Sequence, residues 1–226
     1  MSSHTIFFCP QIWKVGPPEG VGDGGLFPYD MSKGPELRAL APLLPTLRER
    51  GVEPFVYVNI SHMCKAHPWA PRYWEFRTTP PFDDPAITQD PRFGAPESYI
   101  VHCAARPWQD LIVDWVSQIN QRFGITGFYL DCAAGNANDA RGLVAGKNDC
   151  QGQVEIMKRI RETIPNAFLA SEYLTEVTAQ QVDLAGIGYD NWFGDSQGFC
   201  RGREWREEHV HPILGFLYHQ YVHSFY

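Results

Sequence analysis

Five things are missing from this chain, and each absence removes a class of function. No run approaches the roughly 20 apolar residues that cross a bilayer. The start, Met1-Ser2-Ser3-His4, has neither the basic opening nor the long apolar stretch of a signal peptide. Read as it stands, the chain is expected to be cytoplasmic and away from membranes. An excess of basic residues is missing too: the formal net charge is −7, which argues against nucleic acid as a main partner. No Gly-x-x-x-x-Gly-Lys phosphate loop occurs, so that kind of nucleotide site lacks support. Finally, the six cysteines, at 9, 64, 103, 132, 150 and 200, form no Cys-x-x-Cys pair. Neither a zinc ribbon nor a dense disulfide framework fits that spacing, and free thiols in a reducing compartment are expected.

What is present supports a large core. Apolar residues make up 44% of the 226 positions and aromatics 14%, and the length is enough for one large domain or two small ones. Apolar runs at 5–9, 52–60, 127–131, 166–172, 184–189 and 213–218 predict six strands. Helical spacing predicts helices over 35–50, 108–123 and 151–164, a short one over 175–181 and a charged helical turn over 201–209. Pro42 and Pro45 are expected to kink or break the first of these, with Gly51 closing it and Gly124 closing the second. The alternation of strand and helix predicts a parallel α/β fold. The segment 61–106, rich in Pro, Asp and aromatics, reads as a long loop excursion over the face that carries the chemistry.

Polar or acidic residues recur just after the strands: Asp30, Asn59, Asp131, Glu172, Asp190 and His219. In a closed (β/α) barrel such positions converge on one mouth, whereas in an open doubly wound sheet they do not. The expected fold is therefore a TIM-type (β/α) barrel, a single domain over 1–226. It is incomplete, with about six strands where a full barrel has eight in roughly 250 residues. Missing barrel segments or an oligomer are the corresponding expectations.

Asp131 follows Phe128-Tyr129-Leu130, where a carboxylate has no packing reason to stand. Burying it is costly unless it is paired or used. Glu172 ends the next predicted strand one strand–helix unit later, so the two strands are expected to be neighbours, roughly 4.8 Å apart. Retaining glycosidases need two carboxyl groups about 5 Å apart. The plainer readings are that Asp131 caps the following loop and that Glu172 caps a helix starting near Thr175.

Gly124-Ile125-Thr126-Gly127-Phe128-Tyr129-Leu130-Asp131 resembles the Gly-x-x-Gly-x-Tyr-x-Asp strand of retaining glycoside hydrolase barrels. Among these are the α-galactosidase and α-amylase clans and the endo-α-N-acetylgalactosaminidases. The run is also similar to a family of glycosidase-like barrel domains in large bacterial proteins. The resemblance covers 51–190. It implies hydrolysis of α-linked sugars by double displacement, with Asp131 as nucleophile and Glu172 as acid/base. The α-galactosidase pattern puts the acid/base one strand later and points to Asp190 instead. From their places, Asp30, Asn59 and Asp190 are candidates for binding sugar hydroxyls, Trp69 and Trp192 for stacking on a ring, and His219 for a hydrogen bond to substrate. No cofactor is implied. Two rival readings remain: a non-catalytic carbohydrate-binding or truncated barrel module, and a metal-dependent hydrolase using His62, Cys64, His67 and His219.

Overall fold

The computed structural model describes residues 4–8, 40–64, 69–78, 98–131, 133, 139–172, 174–186 and 220–225. Within them lies a six-stranded, wholly parallel sheet. Its strands are β1 (His4–Phe8), β2 (Val52–Asn59), β5 (Gly127–Asp131), β6 (Phe168–Ser171), β7 (Leu184–Gly186) and β8 (His223–Phe225), in that spatial order. A small antiparallel pair, β3 (His62–Cys64) with β4 (Ser98–Ile100), stands apart from it.

The helices form where the sequence permits. A 3-10 turn, Ala41–Leu43, runs into α1 (Leu44–Glu49), and each begins with a proline in its first two positions. Proline suits a first turn and breaks an interior, so the expected long helix is divided there. Gly51 follows α1 at a φ of 71°. The helix α2 is one short turn, Ala70–Tyr73. The long α3 (Arg106–Phe123) stops at Gly124, whose φ of 64° suits glycine at a helix end. The helix α4 (Asp149–Thr163) starts from a capping box in which Asn148 and Gln151 each bond the other's backbone N–H.

Two expectations are corrected. Residues 176–181 form hydrogen-bonded turns rather than a helix, because Thr175 and Thr178 satisfy each other's backbone N–H groups through their hydroxyls. The segment 61–106 is in part regular, carrying β3, α2, a second 3-10 turn and β4. The last described strand is His223–Phe225. The expected strand at 213–218 and the helical turn at 201–209 lie outside the described residues.

The sheet has two unlike faces, as alternation along a strand requires. One face (Val56, Val58, Phe128, Leu130, Leu169, Ala185) packs into a single core with Trp108, Ile112, Trp115 and Ile119 of α3 and Ile156, Met157 and Ile160 of α4. The other face is laid out in layers by the strand register. Phe55, Gly127 and Phe168 are level; above them stand Tyr57, Tyr129 and Ala170. Phe55 and Phe168 meet edge to face at 5.3 Å across Gly127, and Tyr57 and Tyr129 lie 5.5 Å apart.

Gly127 is there because nothing larger fits. A Cβ at that position would stand 2.8 Å from the Pro54 carbonyl oxygen and 3.0 Å from the Phe55 ring. Gly127→Ala is therefore expected to destabilise the fold by about 1–3 kcal/mol, the usual penalty of overpacking. Urea denaturation checks this; an unchanged midpoint would mean that β2 yields without strain.

Candidate active site

The third layer of the same face is polar. Asn59 and Asp131 are register partners at the ends of β2 and β5. The ladder continues past Ser171, with the Glu172 N–H donating to the Leu130 carbonyl at 3.3 Å. One step beyond the Leu130–Ser171 pair, Asp131 and Glu172 stand side by side on adjacent parallel strands, on the aromatic face. Three strand ends thus place Asn59, Asp131 and Glu172 in a row. Asn59 is buried, and the two carboxylates are half-buried.

The row is held by the turn that leaves β2. The Asn59 Oδ1 accepts the N–H groups of Ser61 at 3.0 Å and His62 at 2.9 Å. The Asn59 Nδ2 donates to Asp131 Oδ2 at 2.6 Å. The Ile60 N–H donates to the Asp131 carbonyl at 3.3 Å. His62 has its Nδ1 against the Ser61 hydroxyl at 2.9 Å. Burial pulls the imidazole down to about 4, and the Glu172 charge works in the opposite direction.

That depression has a sign. Unfolded, His62 takes up a proton near 6.5; folded, it refuses one until about pH 4. Between those values the unfolded state binds more protons, so stability falls as pH falls through the window and is undiminished above it. Burial depresses His102 as well, in the same sense, while burial raises the Asp149 carboxyl, in the opposite sense. Comparing His62→Gln with wild type isolates the first contribution. The variant is expected to lose less of its urea midpoint between pH 6.5 and 4, and parallel curves would refute the assignment.

Other candidates are placed as follows. Trp69 is half-buried, its ring stacked on Trp115 of α3 at 6.4 Å. Asp30, Asp190, Trp192, His219 and His67 lie outside the described residues. Of the expected metal trio, His62 and Cys64 both fall in β3. Among the described residues, no three His, Cys, Asp or Glu side chains come together around a cation position.

The structure also shows a polar network that the sequence reading missed. Asp149, at the start of α4, is buried; its Oδ1 accepts the Cys103 N–H at 2.7 Å and its Oδ2 the Gln153 amide at 2.7 Å. Buried His102 accepts the Ala104 N–H at 3.1 Å through Nδ1. The capping box Asn148-x-x-Gln151 was the legible signal here, since it fixes where α4 begins and therefore where Asp149 sits. A second tie lies further out: the Arg141 guanidinium, paired with Asp139, donates to the carbonyls of Glu75 and Arg77. It joins the loop after β5 to the segment after β3.

No family model matches the sequence, and no curated protein matches it. Solved structures do. An Anoxybacillus α-amylase superposes with a TM-score of 0.57 at 14% identity, over 84% of this chain and 42% of that one. An α-galactosidase from Thermus thermophilus gives 0.47 at 16% identity, over 65% of this chain and 29% of that one. The glycoside hydrolase domain of PelA from Pseudomonas aeruginosa gives 0.47 at 15% identity, over 63% and 53%. This chain therefore spans between 29% and 53% of the length of these structures. The likeness to the amylase shows the fold as a TIM-type (β/α) barrel, with six parallel strands among the described residues. Among the described residues, no helix is long and apolar enough to cross a membrane.

Proposed function

We propose that this chain is a retaining glycoside hydrolase acting on α-linked sugars, with Asp131 as nucleophile and Glu172 as acid/base. The observation that carries this reading is the level placement of the two carboxylates on adjacent parallel strands. Adjacent strands lie roughly 4.8 Å apart. Retaining enzymes hold their carboxyl groups about 5–5.5 Å apart, while inverting ones need about 6.5–9.5 Å to admit a water. The strand spacing favours the former. The α-linkage is supported by the amylase likeness and by the Gly-x-x-Gly-x-Tyr-x-Asp run.

Each residue's part follows from the chemistry. An Asp131 oxygen attacks the anomeric carbon as Glu172 gives its proton to the departing glycosidic oxygen. The bond from that oxygen to the anomeric carbon breaks, and a glycosyl ester forms on Asp131. Glu172, now ionised, takes a proton from water; the water oxygen bonds to the anomeric carbon and releases the Asp131 carboxylate. Two inversions leave the configuration retained.

Hydrolysis of a panel of aryl α- and β-glycosides by wild type and Asp131→Asn tests this, with the first-formed anomer followed by NMR. Turnover of an α-glycoside to the α-anomer, lost in the variant, is expected. A first-formed β-anomer from an α-glycoside would overturn retention. A folded wild type that turns over no member of the panel would overturn the glycosidase reading.

A further inference from the structure

Asn59 stands beside the nucleophile, and both ends of its amide are engaged by the protein. Two backbone donors, Ser61 N–H and His62 N–H, fix which end is oxygen. The nitrogen is therefore the end that meets Asp131, at 2.6 Å. The turn that supplies the two donors is itself anchored from the helix-covered face. The Ile60 carbonyl accepts the Trp108 indole N–H at 2.7 Å, and the Cys103 thiol lies 3.4 Å from the same oxygen. Trp108 and Ile60 are both fully buried. A rigid path therefore runs from α3 through the Ile60 turn to Asn59 and on to one oxygen of Asp131.

We propose that Asn59 is a positioning residue, which holds Asp131 Oδ2 and thereby aims Oδ1 at the anomeric carbon. The inference rests on the reading of Asp131 as nucleophile. Rotation of a carboxylate about its last bond is loosely restrained. A carboxylate is planar, so holding one oxygen sets the direction of the other. The bond is charge-assisted, which makes it short and strong. Asparagine suits the place and aspartate does not: the amide offers an acceptor to the turn and a donor to Asp131, whereas two carboxylates this close cannot both ionise.

The test exchanges the two groups. Asn59→Asp sets carboxylate against carboxylate, so its urea midpoint is expected to drop at pH 7 and to drop less at pH 4, where the pair shares a proton. In the double variant N59D/D131N, the carboxylate at 59 still accepts the Ser61 and His62 N–H groups and an amide at 131 supplies the donor. Most of the lost midpoint should return, while turnover stays absent because the nucleophile is gone. Asn59→Ala, assayed on whichever aryl α-glycoside the wild type turns over, should lose about 100-fold in kcat with KM little changed, the penalty of a misaimed group.

If the double variant recovers no stability, the bond is not there and the proposal falls whatever the activity. If stability returns but Asn59→Ala keeps wild-type kcat, positioning is overturned and the glycosidase reading stands. If wild type turns over nothing, the glycosidase reading falls and takes the positioning role with it. The exchange then still reports a hydrogen bond, but a structural one.

Discussion

Replacing Asp131 with alanine should cost roughly 10⁴-fold or more in turnover, as loss of a nucleophile does elsewhere, and azide should restore it with the anomeric configuration inverted. The deleted carboxylate leaves a space level with the anomeric carbon that a small anion can enter. Azide then makes a single displacement from the side that Asp131 would have used, so an α-glycoside yields a β-glycosyl azide. Glu172→Ala should behave differently. On a substrate whose leaving group departs without a proton, Asp131 still forms its ester, and the glycosyl-enzyme accumulates. Azide attacks that ester in the second displacement and gives the α-azide. The two products, told apart by NMR, assign the roles separately. An α-azide from Asp131→Ala and a β-azide from Glu172→Ala would exchange them. Full activity in Glu172→Ala with unactivated substrates would move the acid/base elsewhere, with Asp190 the alternative that the α-galactosidase pattern offers.

The largest expected loss of stability is at Trp108. Its side chain is fully buried, its ring meets Tyr73 edge to face at 5.5 Å, and its indole N–H holds the Ile60 carbonyl. Trp108→Ala should destabilise by about 3–5 kcal/mol, through lost burial and an unfilled cavity. Trp108→Phe keeps an aromatic ring and removes the donor. It should cost about 1–3 kcal/mol, because the Ile60 carbonyl is left buried with only the weak Cys103 thiol. Urea denaturation of both variants separates the two contributions. Equal losses would mean that the indole donor carries the effect, and an unchanged midpoint in Trp108→Phe that packing alone does. The Phe variant also bears on the site, since the carbonyl it releases belongs to the turn that carries Asn59.

The elements easiest to read from sequence were those that are long or sharply bounded. Strand 127–131 and the end of α3 at Gly124 emerge where expected, since a glycine stop and an apolar run leave little choice. The strand before the Asn59 turn is nine residues in the sequence reading and eight in the structure. Short elements were harder. β3 and β4 have three residues each, too few for any period to show, and exist because they pair with each other. β8 is equally short and owes its form to β7. The helix expected near Thr175 fails because two threonine hydroxyls compete for the backbone, which periodicity does not register. At the site, residue types and strand ends were legible; register was not. Nothing local in the sequence says that Asn59 is level with Asp131. That fact belongs to the pairing of strands 72 positions apart.

The layered face of the sheet divides labour between atoms. Phe55, Phe168, Tyr57 and Tyr129 make the foundation, and their contacts hold the strands together from below. The row at the strand ends is held differently, by the Asn59 amide that ties the turn after β2 to Asp131. Mutation in the aromatic courses therefore costs packing between strands, whereas mutation in the row costs directed hydrogen bonds.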